Sequence, residues 1–311
     1  MATIVEMINP LTGLPEQVDK LDHTAQEIDN AVDLAPQLSN PNLLDNWYFG
    51  NPVNQRGQTS YTGVGYGIDR WYCESSNGGV TVNNGSVTFL PGTYFQKGEA
   101  IQYELLKGKT VTLSLLDAEN HLYYGTGTYG SIANVPIGSS NWFMSMSYYD
   151  AQNNHIFRFT NGSSEESKNI VAAKLELGSQ QTLAHQDENG NWVLNEIPDY
   201  GEQLRRCQRY FWRSWTGERD VQNSILGRVF GASTNRITGF SYPVEMRSKP
   251  TITIYGITGR DKITDYDSDV DYGDVAPIYW DTQRCIALSI TGGGLSMGTY
   301  VYYFVEANAE L

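Results

Sequence analysis

Apolar residues near the N-terminus recur at alternating spacings of four and three. The seam consists of Leu14, Val18, Leu21, Ala25, Ile28, Val32 and Ala35, and the positions between them are largely polar. This heptad pattern, with Pro15 suited to a first turn, predicts an amphipathic helix that needs a partner to cover its seam. We therefore predict a short coiled-coil stem, in which three helices are favoured over two. A single helix that lies on its own domain is the alternative, because a seam of about three heptads is short.

After this seam the hydrophobic period changes to two. The segment PQLSNP at 36–41 ends the helix, because proline lacks an amide donor and disfavours helix in the residue before it. Alternating apolar and polar residues then predict strands at 80–82, 86–90, 110–115, 142–149, 155–160 and 170–177. Asn83-Asn84-Gly85 lies between two of these runs and predicts a hairpin, since Asn and Gly tolerate positive φ. We predict a β-sandwich of jelly-roll type over residues 46–183.

A polar stretch at 184–203 separates these strands from a second set. The later runs with strand-like patterns are 207–213, 225–230, 237–242, 251–257, 285–291 and 299–307. They predict a distal β-sandwich or barrel over residues 204–311. The composition agrees with an all-β chain, since 21 Tyr and 31 Gly suit half-buried strands joined by tight turns. The predicted order is a helical stem and linker at 1–45, the jelly roll, a connector and the distal sandwich.

The net charge of -14 is concentrated in two segments. Residues 1–45 carry -7 and the run from Asp261 to Asp274 carries -5, so the rest of the chain is close to neutral. No stripe of Lys and Arg is present to displace counterions from phosphates, which argues against a nucleic-acid partner. The sequence has no apolar run of about 18 residues and no signal-peptide pattern, so we expect a soluble protein without membrane insertion, made in a cytoplasm.

The three cysteines and two glycine motifs do not complete a chemical site. Cys73, Cys207 and Cys285 are far apart in the chain and predict buried free thiols. Residues 294–298 (GLSMG) match the GxSxG nucleophile motif, yet a strand follows and no histidine comes after His185. Residues 125–130 (GTGTYG) match GxGxxG, yet the residues that follow cannot form the helix that a nucleotide loop requires. We interpret the first motif as a hairpin and the second as a flexible loop.

Acidic residues offer metal-binding and hydrolytic alternatives. The run from Asp265 to Asp274 alternates carboxylates as calcium loops do, but Val270 and Ala276 occupy positions where an EF-hand needs Gly and Glu. A solvated acidic loop is the prediction, and an irregular calcium site is the alternative. Glycoside hydrolysis needs two carboxylates at a set separation, whereas Glu165 and Glu166 lie in a Gly- and Ser-rich turn. We predict no enzymatic activity, no metal and no cofactor.

Sugar recognition needs flat aromatic faces beside groups that hydrogen-bond hydroxyls. Two sets of aromatic residues meet this need. The set in the distal domain is Trp212, Trp215, Tyr279 and Trp280, and the set in Gly-rich loops of the jelly roll is Tyr61, Tyr66 and Tyr129. For each residue, packing in a core is the competing interpretation. We favour the distal set as a shallow ligand site.

Several segments resemble tail-fibre and receptor-binding proteins of bacteriophages, especially those of Gram-positive hosts. They are KLDHTAQEID (20–29), NPNLLDNWYFGNPVNQRG (40–57), DRW (69–71), AAKLELGSQQT (172–182), CQRYF (207–211), PVEMRSKP (243–250) and YYFVEANAEL (302–311). The resemblance implies a carbohydrate-binding-module-like jelly roll and a distal domain, in a virion component that is commonly trimeric and engages the host surface. No single motif is chemical, so the resemblance identifies a scaffold and leaves the ligand open.

The pattern and the resemblance together predict a homotrimeric tail or capsid appendage of a virion. Its stem would join other virion structural proteins, and its distal domain would bind host cell-surface carbohydrate through weak sites that add by avidity. A purely architectural virion protein, such as a collar, baseplate or capsid fibre, is the alternative. A polysaccharide depolymerase is a third possibility.

Overall fold

The computed structural model describes residues 4–8, 15–19, 39–138, 141–148, 155–161, 166–230, 235–272, 274–291 and 295–310. The chain divides into two compact units, Met1–Leu38 and Ser39–Leu311. Strands account for most of the regular structure, so the chain is all-β in class as the sequence predicts. Among the described residues, the helices are too short to cross a membrane.

The first unit contains a hairpin where the heptad pattern predicts the start of a helix. Strand β1 (Ile4–Ile8) pairs antiparallel with β2 (Pro15–Asp19), and Val5 lies opposite Val18. The predicted helix is therefore wrong over Pro15–Asp19. One physical reason is that proline is tolerated at the first residue of a strand. The other is that β1 supplies a pairing partner for these residues, which the heptad spacing alone does not reveal. The other seam residues, Leu14, Leu21, Ala25, Ile28, Val32 and Ala35, lie outside the described residues, so the coiled-coil stem stays a prediction.

The second unit begins with a β-sandwich. Its strands are β3 (Ser60–Thr62), β4 (Gly65–Tyr66), β5 (Tyr72–Cys73), β6 (Gly79–Asn83), β7 (Ser86–Phe89), β8 (Thr93–Lys97), β9 (Thr110–Asp117), β10 (Leu122–Thr128), β11 (Ser131–Pro136), β12 (Trp142–Tyr148), β13 (His155–Asn161) and β14 (Lys168–Leu177). In the described part of the chain they form two six-stranded antiparallel sheets, ordered β10-β9-β14-β7-β6-β3 and β11-β12-β13-β8-β5-β4. A short helix, α1 (Ala100–Leu106), connects β8 to β9.

Aromatic rings in the core of the sandwich join the two sheets. Phe89 of β7 meets Phe159 of β13 edge to face, with ring centroids 4.6 Å apart. Trp71 packs against the same Phe159 at 5.4 Å, and all three side chains are buried. Such aromatic pairs each contribute about 0.5–1.5 kcal/mol beyond the area that they bury. The facing sheets are therefore held by specific ring contacts as well as by aliphatic burial.

Residues 125–128 of the GxGxxG segment lie in a strand, and the prediction of a flexible loop is wrong there. Gly125 and Gly127 lie within β10, which pairs with β9 over its whole length. A Cβ at Gly125 would lie 2.6 Å from a methyl of Val135, and one at Gly127 would lie 2.7 Å from a side-chain carbon of Ile132. The glycines thus allow β11 to lie close over β10, which is a packing role.

The polar connector at 184–203 contains regular structure. Strands β15 (Ala184–Gln186) and β16 (Trp192–Leu194) form a hairpin, and helix α2 (Tyr200–Gln208) follows. The Asp199 side chain accepts a hydrogen bond from the Glu202 amide and so caps the first turn of α2. The helix leads directly into the C-terminal sheet.

The C-terminal sheet, our name for residues 211–308, is one continuous hydrogen-bonded sheet. Its elements are β17 (Phe211–Arg213), a 3-10 turn (Val221–Asn223), β18 (Ile225–Phe230), β19 (Asn235–Ser241), β20 (Thr251–Tyr255), β21 (Ile263–Asp265), β22 (Asp271–Tyr272), β23 (Asp274–Asp281), β24 (Cys285–Thr291) and β25 (Tyr300–Asn308). The sequence predicts a two-sheet sandwich or a barrel here, whereas the nine described strands belong to a single sheet. The reason is β25, which pairs with β17, β18, β20 and β21 and so joins strands from both sides.

Both faces of β25 are buried. Val301, Tyr303 and Val305 face one apolar cluster, while Tyr302 and Phe304 face a smaller one that includes Trp215. A strand covered on both sides reads as a nearly continuous apolar run, and the sequence YVYYFVEAN matches this expectation. The C-terminal sheet is therefore organised around β25.

Candidate functional site

A cleft opens at the edge of the sandwich where the chain crosses from one sheet to the other. Strand β3 is the edge of the first sheet and β4 is the edge of the second, with only Gly63 and Val64 between them. Gly63 and Gly65 have φ values of 81° and 143°. Side chains strain this backbone region, so glycine permits the tight crossing. We call the resulting opening between the two sheets the edge cleft.

The edge cleft combines aromatic and polar groups in a volume of about 200 Å³. Tyr61 and Tyr66 are half-buried in its wall, and Trp71 and Tyr94 lie at its buried end. The exposed polar side chains of the lining are Gln58, Ser60 and Thr62. None of the described lining residues is Asp, Glu or His. The cleft can therefore stack a flat ligand and hydrogen-bond its hydroxyls, but it holds no pair of carboxylates for acid–base chemistry.

The hydroxyl of Tyr61 is held by the loop that precedes β3. It donates to the Asn54 side-chain oxygen and accepts from the Gln58 amide at 3.0 Å. Burial raises the pKa of Tyr61, with smaller opposing effects from the Gln58 amide and Arg56. The phenol therefore stays protonated at neutral pH, and the ring is fixed in one orientation.

Tyr66 is held by rings and by a guanidinium. Its ring meets Tyr72 edge to face at 5.0 Å, and the Arg56 guanidinium lies 5.2 Å from the ring centroid. Burial also raises the pKa of Tyr66, and the nearby charge of Glu310 acts in the same direction. A cation near the ring face is attractive to the π system, so Arg56 restrains the side chain of Tyr66.

The two described tryptophans of the distal aromatic set lie in different apolar clusters of the C-terminal sheet. Trp215 is 8% exposed and packs against Tyr255 and Phe304, with the Arg213 guanidinium 4.6 Å from its ring. Trp212 is half-buried in the other cluster of the C-terminal sheet. The expectation that Trp215 offers a free stacking face is corrected by this burial. Tyr279 and Trp280 lie on β23, and their side chains are outside the described residues.

The second aromatic set is divided between the two edges of the sandwich. Tyr61 and Tyr66 share the edge cleft, whereas Tyr129 follows β10 at the opposite edge. Tyr129 is buried and stacks on Tyr103 with centroids 6.2 Å apart, and burial raises its pKa to about 12. Sequence reasoning missed Gln58, Ser60 and Thr62, because ordinary polar residues carry no signal until the crossing places them beside the tyrosines.

A second opening, which we call the apolar groove, lies on the C-terminal sheet. It has a volume of about 370 Å³ and is lined by Phe230, Arg236, Ile237, Cys285, Ile286, Ala287 and Leu288. Trp280 is paired in register with Ala287, so its backbone borders the groove. The lining is almost entirely apolar. A groove of this kind fits an apolar group better than a sugar.

Two carboxylates of the acidic run are engaged in local hydrogen bonds. In the acidic run, Asp265 accepts from the amides of Asp267 and Ser268, and Asp271 accepts from the Thr258 amide. These contacts brace the loop.

One further cluster has ligand-like spacing. The ligating atoms of Asp117, Glu119 and His121 lie within 4.8 Å of one another, the only such group found among the described residues. Both oxygens of Asp117 already accept hydrogen bonds, from the Glu119 and His121 amides and from the Tyr123 hydroxyl. The cluster is therefore accounted for as a braced β-turn.

Comparison with known proteins finds no counterpart for the whole chain. No family model, no curated protein and no solved structure matches it. The assignment of function therefore rests on the edge cleft and on the apolar groove.

Proposed function

We propose that the chain is a non-enzymatic attachment protein that binds cell-surface glycans through the edge cleft. The observation that carries this proposal is the convergence of Tyr61 and Tyr66 with Gln58, Ser60 and Thr62 around one opening. The resemblance to bacteriophage tail-fibre proteins supports the setting, a virion appendage that contacts a host. The proposal places the site in the sandwich rather than in the distal domain, and the burial of Trp215 supports that choice.

The chemistry of the edge cleft suits a single sugar unit. Aromatic rings offer a surface for the CH groups of a pyranose, while amide and hydroxyl groups exchange hydrogen bonds with its hydroxyls. A volume of about 200 Å³ is below the roughly 300–1,000 Å³ of sites for drug-sized ligands. One site of this size binds weakly. Linked copies raise overall avidity by about 10²–10⁴, which is what the proposed homotrimer would provide on a surface of repeated glycans.

The test is glycan-array binding by the full chain and by matched variants. We expect Tyr66→Ala to lose about 1.4 kcal/mol of binding free energy, which is about tenfold in Kd. Gln58→Ala, an exposed change that leaves the fold intact, should weaken binding in the same direction. Tyr124→Ala is the control, because Tyr124 is 57% exposed on β10 at the opposite edge. Binding that is absent in the native chain, or unaltered in both cleft variants, contradicts the proposal.

The apolar groove favours a second candidate, a purely architectural virion protein. Phe230 lines the groove, and Leu226 on the same strand is 57% exposed, so the C-terminal sheet offers apolar surface of the kind found in protein interfaces. In that case the C-terminal sheet would dock on another viral protein and no glycan would bind. The same array separates the two candidates.

A further inference from the structure

The loop of residues 54–58 lies between the edge cleft and the C-terminal sheet. On the cleft side, Asn54 and Gln58 hydrogen-bond the hydroxyl of Tyr61, and Arg56 lies near the ring of Tyr66. Both tyrosines of the cleft are therefore positioned by one short loop. We call it the clamp loop.

The other side of the clamp loop contacts β17 of the C-terminal sheet. The Gln55 side chain donates to the backbone oxygen of Phe211 at 2.7 Å, and the Arg56 guanidinium lies 3.7 Å from the centroid of the Phe211 ring. Gly57 has a φ of 74°, and a Cβ there would lie 3.1 Å from an Arg213 nitrogen. A side chain would be strained at this φ, and its Cβ would press on the Arg213 guanidinium.

Buried charges fix the clamp loop in this position. Arg56 pairs with Asp69 at 2.9 Å, and its second nitrogen lies 4.0 Å from Glu310. Glu310 also accepts from Arg70 at 2.7 Å, and Arg70 in turn contacts Asp45 at 3.2 Å. The side chains of Asp69 and Glu310 are almost fully buried. Charges removed from water interact strongly, so the arrangement has one favoured geometry.

We infer that Glu310 is a positioning residue for the edge cleft, acting through Arg56 and the clamp loop on Tyr61 and Tyr66. The sugar site of the sandwich then depends on the C-terminal sheet, and the two regions are one functional unit. The role in sugar binding rests on the proposed function, whereas the positioning of Tyr61 and Tyr66 by Glu310 does not depend on it. By linkage, a ligand that orders the cleft also strengthens the contact with the C-terminal sheet.

The experiment is hydrogen exchange on the full chain, comparing the native protein with Glu310→Gln and Glu245→Gln. The control is closely matched, because Glu245 pairs with Arg284 at 2.8 Å but both side chains are exposed. We expect exchange in residues 60–67 to become about tenfold faster in Glu310→Gln and to stay unchanged in Glu245→Gln. Exchange in β10, at the opposite edge of the sandwich, should not change in either variant.

Two results overturn the inference. One is unchanged exchange in residues 60–67 of Glu310→Gln, and the other is equal loosening of residues 60–67 and β10, which indicates a general loss of stability. If Glu310→Gln does not fold, Gln55→Leu replaces it, because that change removes the side-chain hydrogen bonds of Gln55 to Phe211 and Asp69 while Arg56 stays in place, and it must give the same local loosening. If residues 60–67 loosen but the native chain binds no glycan, the positioning role stands and the proposed function fails.

Discussion

Acidification should stabilise this protein through Asp69, which is unusual for a carboxylate in an ion pair. Asp69 is completely buried beside Arg56. Burial raises the pKa of Asp69 from 3.8 to about 6, and the opposing effects of Arg56 and the Gln55 amide do not cancel it. The folded state therefore holds the proton more tightly than the unfolded chain does.

The size of the effect on the free energy of unfolding follows from the pKa shift of Asp69. A change of about two pKa units corresponds to about 3 kcal/mol of differential stability between the protonation states. Because the folded pKa is raised, this contribution is fully present below the unfolded value near 4 and is lost as the pH rises through about 6. Lowering the pH from 7 to 4 should thus add up to about 3 kcal/mol from this group to the free energy of unfolding.

The assay is urea unfolding followed by tryptophan fluorescence at several values between pH 7 and pH 4. Other carboxylates titrate in the same range, so the informative quantity is the difference between native protein and Asp69→Asn at each pH. We expect this difference to shift by about 3 kcal/mol in favour of the native protein as the pH falls. The exposed Asp267→Asn variant is the control for the removal of a carboxylate from the surface. A difference between native protein and Asp69→Asn that stays constant with pH would refute the reasoning and show that Arg56 keeps Asp69 ionised throughout.

Three further outcomes are expected. Lys174→Met leaves the buried carboxylate of Glu176 without its cation, so urea unfolding should show a loss of about 3–5 kcal/mol. Burial raises the pKa of the Cys207 thiol, so a thiol reagent should modify the partly exposed Cys285 but reach Cys207 only after unfolding. Light scattering should give a mass of three chains, and removal of residues 1–38 should weaken association; a monomer at micromolar concentration would contradict the predicted stem.

Local patterns in the sequence predict much of the sandwich. The hairpin expected at Asn83-Asn84-Gly85 is confirmed between β6 and β7, and the runs at 110–115 and 170–177 are strands β9 and β14. These features depend on neighbouring residues, whose alternation and turn chemistry are visible in the sequence. The helix α2 was missed although Asp199 provides a capping signal, because the surrounding polar residues favour a connector.

The candidate site is only partly predictable, because it depends on contacts between residues that are distant in the chain. The sequence indicates Tyr61 and Tyr66 as aromatic candidates, but their shared cleft depends on the order of strands that are distant in the chain. The contact between Arg70 and Glu310 joins residues separated by 240 positions, and no local periodicity encodes it. The burial of Trp215 likewise follows from the covered second face of β25, which a single strand does not reveal.

The position of β25 in the chain has a consequence for biosynthesis. This strand follows all four of its pairing partners, so none of them can complete its hydrogen bonds until Tyr300–Asn308 has left the ribosome. Before β25 is synthesised, the segments of β17 to β24 expose apolar surface and unpaired strand edges, and such a state is prone to aggregation. Nascent chains that stop before β25 should therefore leave β17, β18, β20 and β21 without the strand that joins them. Completion of the C-terminal sheet therefore depends on translation of this last strand.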